Sequence, residues 1–355
     1  MVKEDLFKEI KSKNETRALV PLIILIIILV LAAYSLTIVP SMKVGLFEAI
    51  NTLLDGIRGI QPKTFDEFYK SELIYKVNGP RAIGAILAGA TLAVSGAVLQ
   101  NIIRNPLADP YTLGISSGAM FGMVISVTMG VSIIPFIAND DGMVVNAFIF
   151  ALIPTTIIVL VSMFKKVTPT MMILCGIAVM YVFNAFSTII KYVVDPDTYA
   201  IIYTWSIGSL SGLSWGSMPK MALGVILTLI PLWLMYRKIN IVAIGDKEAT
   251  TLGVDPNRTR IVCLICISLG TALIVCYTGT IGFVGLVAPH IARAIVKSNC
   301  RYLIPTSATL GALMVLGADI LMRLIKPSLP VGVMLAIIGA PVFILILIRM
   351  KKSIW

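Results

Sequence analysis

The side chains in the apolar part of this sequence whose types and spacing could do chemistry include Cys263, Cys266, His290 and Asp319. The two cysteines form a C-x-x-C pair, which in some proteins serves redox or metal chemistry. Here the pair lies inside a helix-length apolar run and no second pair follows, so packing of small side chains is the simpler interpretation. His290 follows Pro289 outside any hydrolase or zinc motif, which favours packing or hydrogen bonding. The sequence therefore predicts no catalytic residue, no metal site and no bound cofactor.

Asp319 bears on ion-coupled transport, because it is the only carboxylate in the predicted membrane spans. Ion-coupled carriers normally place acidic side chains at mid-membrane, where they bind and release the coupling ion. Asp319 lies four residues before Arg323, so a helical ion pair is the simpler interpretation. The sequence also lacks the G-x-x-x-x-G-K-[ST] pattern with which a P-loop binds ATP. A transporter without either feature takes its energy from a partner protein.

The composition predicts an all-α membrane protein that crosses the bilayer many times. Of the 355 residues, 58% are hydrophobic and 13% are charged, which is too apolar for a soluble domain of this length. The formal net charge of +11 does not indicate nucleic-acid binding, because the basic residues lie in short clusters between apolar runs. Clusters of that kind orient a membrane protein.

Ten apolar segments are long enough to be spans, with the eighth the shortest. They lie at about 19–40, 80–101, 113–133, 144–164, 169–190, 217–236, 259–279, 281–296, 303–323 and 331–348. An even number of spans places both termini on one side, and the basic residues concentrate in the loops of that side, so both termini are predicted to be cytoplasmic. The predicted organisation is a cytoplasmic tail (1–18), one ten-helix domain (19–350) and a cytoplasmic tail (351–355).

Two polar segments interrupt the spans. Segment 41–79 is predicted outside and contains an amphipathic helix within Val44–Ile60, which would lie on the outer surface. Segment 237–258 is predicted inside and contains a short helix, with Asp246 as its N-cap and Gly253 in the left-handed position that ends it. In the second span, small residues recur every four positions and predict a flat face for close helix packing; they are Ala85, Gly89, Ala93 and Ala97. Gly311, Gly317 and Gly339 are predicted to serve the same purpose.

Three stretches of this chain closely resemble the FecCD family of permeases, which belong to ABC importers for iron–siderophore complexes, cobalamin and haem. They are Pro80–Ala119, Gly279–Arg293, and the closing ADILMRL and LPVGVMLAIIGAPVFILIL motifs. The segment IGDKEATTLGV matches the cytoplasmic coupling segment of the family, and the resemblance runs in order from about residue 77 to 350. It implies the ten-helix type II importer fold in the cell membrane. It also implies a homodimer that works with two ABC ATPase subunits, which bind ATP and magnesium, and with an external binding protein.

The resemblance also implies cytoplasmic contacts. The short helix would dock in a cleft of the ATPase and transmit its movement, with Leu252 and Val254 as apolar contacts; an ordinary loop is the alternative. The residues concerned are Gly245, Asp246, Lys247, Glu248, Ala249, Leu252, Gly253 and Val254. The turn-rich loop after the second span would make a secondary contact through Asn105, Pro106 and Asp109, or else serve only as a rigid connector.

A gate and a docking surface are implied as well. The fifth span would line the path, with Thr168, Pro169 and Thr170 at its cytoplasmic gate, although these residues also suit a helix cap with a proline start. On the outer face, Arg81, Arg323 and Lys326 would meet acidic residues of the binding protein; snorkelling to the membrane surface is the alternative for the two arginines. Asn78 stands where relatives commonly carry a further arginine.

The sequence thus predicts the permease subunit of an ABC importer that translocates a bulky metal chelate. An ion-coupled carrier and a membrane scaffold or sensor are the alternatives. An iron–siderophore complex is the first expectation for the cargo, while cobalamin, haem and molybdate-type oxyanions stay open, because no residue set in the chain distinguishes them.

Overall fold

A computed structural model describes residues 2–40, 42–134, 140–164, 168–326 and 329–349 of the chain. Within these ranges the chain is all-helical, without a strand. The helices are α1 (Val2–Leu36), α2 (Leu46–Arg58), α3 (Phe65–Ser71), α4 (Gly79–Ile103), α5 (Ile115–Met129), α6 (Asp140–Phe164), α7 (Pro169–Val193), α8 (Pro196–Ile207), α9 (Met218–Leu234), α10 (Tyr236–Ile244), α11 (Asp246–Thr251), α12 (Pro256–Thr278), α13 (Val284–Val296), α14 (Cys300–Ile325) and α15 (Val331–Arg349). A π-helical segment, Glu72–Asn78, joins α3 to α4, and a 3-10 turn, Pro110–Leu113, precedes α5.

Each of the ten predicted spans coincides with one of these helices. Among the described residues, six helices are long and apolar enough to cross a bilayer: α1, α4, α6, α7, α12 and α14. Helices α9 and α10 together pass the same test but are bent by 65°, and α5, α13 and α15 are apolar but shorter. The fold class of a polytopic all-helical membrane protein is confirmed, and the number of ten spans stays a prediction.

Some elements differ from the predicted organisation. No break separates the predicted tail 1–18 from the first span, because α1 is one helix from Val2 onward. The amphipathic helix predicted in the outer segment is present as α2. At the end of the outer segment, α3, the π-helical segment and α4 follow one another without a break, so the outer segment runs directly into the second span. Helix α8 was not predicted, since its twelve residues are too few to cross the membrane.

Helix α4 is the centre of the fold and is packed on several sides by other helices. Its predicted flat face is buried, and a Cβ placed on Gly89 would overlap the carbonyl oxygen of Gly311 in α14. Glycine at both positions therefore allows the two helix backbones to touch. A Cβ on Gly339 would meet the ring of Phe283, which also fits close packing. The same prediction for Gly317 is wrong, because a Cβ there would meet nothing within 4 Å.

Helix α7 is the least buried of the six long spans within this chain. Large apolar and aromatic side chains along it are exposed, including those of Tyr181, Phe186 and Tyr192. A span that buries so little against its own chain offers its surface to lipid or to another protein.

Candidate functional site

The short helix α11, predicted to be cytoplasmic, is held by backbone geometry at both ends. Gly245 precedes it in an extended conformation and has no side chain that could accept a capping hydrogen bond. At the other end Gly253 has φ +77°, so it takes the left-handed position predicted from the sequence. The amide of Val254 donates to the carbonyl of Ala249 (2.9 Å) and that of Gly253 to the carbonyl of Thr250 (3.0 Å). These two bonds form a Schellman motif, which ends the helix sharply.

The prediction that Asp246 is the N-cap is wrong, because Gly245 occupies that position and Asp246 begins the helix. The Asp246 carboxylate instead binds the guanidinium of Arg260 in α12. Arg260 Nη2 lies 2.5 Å from Oδ1 and Nη1 lies 2.8 Å from Oδ2. This bidentate arrangement is the strongest geometry for an arginine–carboxylate pair. The hydrogen bond from Arg260 holds the pKa of Asp246 below its ordinary value.

Arg260 connects α11 to the centre of the fold. Its side chain is 1% exposed, and its Nε donates to the carbonyl of Ile102 at the end of α4 (3.0 Å). One guanidinium therefore joins α11, α12 and α4. Arg260 was not among the predicted site residues, although an arginine at the start of a predicted apolar span indicates a buried partner.

A second arginine brings the loop after α4 to the same carboxylate. Arg104 ends α4 with φ 57°, and its Nη2 lies 3.1 Å from Asp246 Oδ1. Both side chains of this pair are about two-fifths exposed, at 40% and 42%. Arg104 thus joins the predicted coupling helix to the predicted secondary-contact loop, although it was not among the predicted site residues.

The outer surface of α11 combines one large apolar side chain with polar neighbours. Leu252 is 61% exposed, and Lys247 and Glu248 are exposed beside it. Ala249 is fully buried and Val254 is half-buried, so these two face the protein more than the solvent. Two further apolar side chains are exposed: that of Ile244, the last residue of α10, and that of Leu107, in the loop after α4.

The three predicted residues of that loop have different surroundings. Asn105 and Pro106 are half-buried, and the Asn105 side chain accepts a hydrogen bond from the amide of Leu107 (2.9 Å). Asp109 is 7% exposed and accepts from the amide of Tyr111 (2.8 Å). Burial raises the pKa of Asp109 to about 6. Asp109 therefore points into the protein and shapes the loop, while contact of the loop with a partner stays a prediction.

At the predicted gate, the helix-cap interpretation is confirmed. Thr168 Oγ1 accepts a hydrogen bond from the amide of Met171 (3.3 Å), and Pro169 occupies the first position of α7. The side chain of Thr170 is exposed. These contacts define the start of α7, and a gate formed by Thr168, Pro169 and Thr170 stays a prediction.

The two outer arginines are buried, which corrects their predicted role as surface docking residues. Arg81 is 4% exposed and Arg323 is 6% exposed. Arg81 Nε donates to Oδ1 of Asp319 (2.7 Å), while Arg323 Nη1 lies 3.8 Å from Oδ2 of the same carboxylate. The predicted ion pair between Asp319 and Arg323 is confirmed as the longer of the two contacts. Burial beside a carboxylate explains why neither guanidinium reaches the surface.

Arg323 also binds the outer end of α1. Its Nη1 donates to the carbonyl of Ser35 (3.1 Å) and its Nη2 to that of Ile38 (2.8 Å). Nη2 further donates to Oδ1 of Asn78 (2.6 Å). The cluster holds α1, α4 and α14 together at their outer ends. Of the three predicted docking residues, only Lys326 is exposed.

The side chains considered for chemistry are parts of the packing. His290 Nδ1 lies 2.6 Å from the carbonyl of Leu286, and its ring packs edge-on against Phe343. Cys263 is buried and Cys266 half-buried, both as free thiols. The predicted packing and hydrogen-bonding roles are confirmed for these residues.

Comparison with known proteins supports the resemblance noted in the sequence. A sequence model of the FecCD transport family matches residues 22–349. A protein of Methanocaldococcus jannaschii named as an ABC transporter permease is 39% identical over 292 residues, which is 79% of this chain and 83% of that protein. A probable iron chelatin transport permease of Helicobacter pylori strain J99 is 36% identical over 282 residues, covering 79% of this chain and 84% of the relative.

The fold is similar to that of a solved structure. The match is a metal-chelate type ABC transporter in an inward-facing conformation, with a TM-score of 0.80 and 26% sequence identity. It covers 93% of this chain and 99% of the other. The likeness therefore extends over nearly all of both chains.

Proposed function

Because this chain belongs to the FecCD transport family and is the permease subunit of an ABC importer of the cell membrane, we propose that it translocates a bulky metal chelate. An iron chelate is the first choice, since the Helicobacter pylori relative is named for iron chelatin transport. Haem and cobalamin are the other members of the same cargo class. An external binding protein delivers the cargo, and a separate ATPase subunit supplies the energy.

The observation that carries this proposal is the presentation of α11. Leu252, directly after the six-residue helix α11, is 61% exposed. The helix itself is anchored by Asp246 on the buried guanidinium of Arg260. An exposed large apolar side chain on a rigid support is typical of a residue that anchors a protein interface. The partner we propose for this surface is the ATPase, which binds ATP and magnesium.

The anchoring also provides a route for the movement of the ATPase to reach the spans. A displacement of α11 acts through Asp246 on Arg260, and through Arg260 on α12 and on the carbonyl of Ile102 in α4. Arg104 extends the same connection to the loop after α4, so Asn105 and Pro106 would move with it. Coupling of this kind needs a contiguous set of rigid contacts, which these hydrogen bonds supply.

We propose that two copies of the chain face each other through α7. This helix has a large apolar surface, which includes the exposed aromatic side chains of Tyr181 and Phe186. Such a surface suits a homodimer with the transport path between the copies. Thr168, Pro169 and Thr170 then lie at the cytoplasmic end of that path as its gate. On the outer face, Lys326 is the remaining exposed candidate for contact with the binding protein.

A substitution of Leu252 tests the ATPase contact. Leu252→Asp places a charge in the centre of the proposed interface and should abolish co-purification of the ATPase subunit with the permease. Leu252→Met keeps an apolar side chain of similar volume and should retain the ATPase. Unchanged association of the Leu252→Asp variant, with the permease still folded, would contradict the docking role of α11.

Reconstituted transport distinguishes the importer from the alternatives. We expect uptake of an iron chelate into proteoliposomes only when ATP, the ATPase subunit and the binding protein are all present. Uptake that is driven by an ion gradient in the absence of the ATPase would indicate an ion-coupled carrier instead. No transport under any of these conditions, with binding of the partners intact, would indicate a scaffold or sensor.

A further inference from the structure

A groove of about 930 Å³ lies at the cytoplasmic ends of α1, α9 and α14. On α1 the groove is lined from Asn14 to Leu22, where the predicted tail meets the first span, and the facing wall is formed by the end of α9 and the start of α14. The lining residues are Asn14, Glu15, Arg17, Ala18, Pro21, Leu22, Trp233, Arg301, Tyr302 and Pro305. Its volume of about 930 Å³ falls in the upper part of the range for small-molecule sites, roughly 300–1,000 Å³.

Basic and aromatic side chains lie together in and beside this groove. Arg17 and Arg301 line it from opposite helices, and Glu15 is the one acidic residue among the lining residues. The guanidinium of Arg301 lies 5.7 Å from the centre of the Tyr302 ring, and Trp233 Nε1 donates to the carbonyl of Arg301 (3.2 Å). These contacts hold the start of α14 against the end of α9 and leave two positive charges facing one groove.

Further aromatic and basic groups extend the site along α10. The Trp233 and Tyr236 rings lie 6.5 Å apart, and Arg237 Nε donates to the hydroxyl of Tyr236 (2.9 Å). Tryptophan and tyrosine concentrate at the level of the lipid headgroups. Together with the basic residues, they place this groove at the bilayer surface on the side predicted to be cytoplasmic.

An apolar surface leads from the groove toward the bilayer interior. Leu22 lines the groove and is exposed. On α9, Ile230 and Ile226 are exposed on the face of Trp233, three and seven residues before it. Exposed side chains at this spacing form one stripe along a helix, and a stripe that continues from a basic groove matches a molecule with a charged head and an apolar tail.

We propose that this groove binds an anionic phospholipid of the cytoplasmic leaflet, with its phosphate between Arg17 and Arg301 and its acyl chains along Leu22 and the exposed face of α9. The excess of basic over acidic lining residues favours an anionic headgroup over a zwitterionic one. The apolar stripe favours a lipid over a soluble phosphate, because a soluble phosphate gains nothing from it. Bound there, the lipid would join α1 to the rest of the fold.

Native mass spectrometry of the full chain in detergent tests this proposal, with phosphatidylglycerol and phosphatidylcholine of the same chain length as probes. We expect tighter binding of phosphatidylglycerol. The Arg17→Gln/Arg301→Gln double variant should bind it roughly 30-fold more weakly, or about fivefold for each charge, which corresponds to the ~1 kcal/mol that a basic residue contributes near an anionic lipid surface. Lys247→Gln removes an equal charge from an exposed position on α11 and should change the affinity less than twofold.

Two further measurements keep the test decisive if the double variant does not fold. Glu15→Gln removes the like charge from an exposed position and should strengthen phosphatidylglycerol binding several-fold. Glycerol 3-phosphate, which carries the phosphate without acyl chains, should not displace the lipid at equal concentration. Equal affinity for the two lipids, no gain with Glu15→Gln, or an equal loss with Lys247→Gln would overturn the proposal, and displacement by glycerol 3-phosphate would replace it with a soluble-phosphate site.

Discussion

Asp246 binds two arginines of very different burial, and we predict that their contributions to stability differ accordingly. Its carboxylate makes two hydrogen bonds to Arg260, which is 1% exposed, and one to Arg104, which is 40% exposed. Breaking a buried pair costs about 3–5 kcal/mol, since the remaining charge stays buried without its partner. Asp246 itself is 42% exposed, so water offsets part of that loss, and we expect a coupling of roughly 2–3 kcal/mol with Arg260. For the exposed pair with Arg104 we expect about 0.2–1 kcal/mol.

Double-mutant cycles measure both values. The variants are Asp246→Asn, Arg260→Met and Arg104→Met, with the two corresponding double variants, and the readout is the free energy of unfolding in a denaturant titration in detergent. Each coupling is the part of the double-variant effect that the single variants do not explain. Methionine at both arginine positions keeps an apolar stem of similar length, so the two cycles are matched.

The pH dependence of the same pair has a definite sign. The pKa of Asp246 is lowered in the folded protein, chiefly by the hydrogen bond from Arg260. A lowered carboxylate pKa adds stability that is fully present above the ordinary pKa of about 3.9 and is lost as the pH falls through the folded-state value. The Arg260 coupling should therefore be constant between about pH 6 and pH 8. Equal couplings for the two arginines, or an Arg260 coupling below about 0.5 kcal/mol, would refute the inference that the buried pair anchors α11.

Three other predictions concern single positions. Gly253→Ala should destabilise the fold by about 1–2 kcal/mol in the same denaturant titration, because alanine is strained at φ +77°. The control is Gly212→Ala, which should have little effect, since Gly212 has open space around it and no positive φ. Gly89→Leu should separate α4 from α14 and lower the free energy of unfolding by about 3 kcal/mol or more through overpacking. Gly317→Ala serves as its control, because the added methyl group meets no neighbour within 4 Å. Normal expression and stability of Gly89→Leu would contradict the close packing. Asp109 has a pKa raised to about 6 by burial, so stability should fall as the pH rises from about 4 to 6, and Asp109→Asn should remove that slope.

Much of the fold could be predicted from the sequence, because spans and helix ends depend on residues close together in the chain. Each apolar run predicted as a span is a helix in the structure. The left-handed glycine after α11 was predicted from Gly253 and its neighbours alone. The small residues every four positions in α4 predicted a close approach, although only the structure shows that Gly311 is the partner of Gly89.

The candidate site was predicted less completely, because its polar residues have partners far away in the sequence. Aspartate is a common N-cap residue, which is why Asp246 was predicted to cap α11. That prediction was wrong, because the carboxylate binds Arg260, fourteen residues later in the sequence, instead. Arg104, which reaches the same carboxylate, is 142 residues away. A helix cap uses the nearest backbone amides, whereas an ion pair between separate helices depends on how those helices pack.

The sequence by itself determined that this chain crosses a membrane many times as helices, that it lacks a P-loop of its own, and where a short capped helix interrupts the spans. Hydropathy, turn residues and motifs carry that information locally. Only the tertiary structure decided what the arginines do. It buries Arg81 and Arg323 around Asp319 instead of presenting them at the surface, and it places Arg260 beneath α11. The physical reason is that the burial of a charged side chain depends on the helices packed around it, which no stretch of the chain specifies alone.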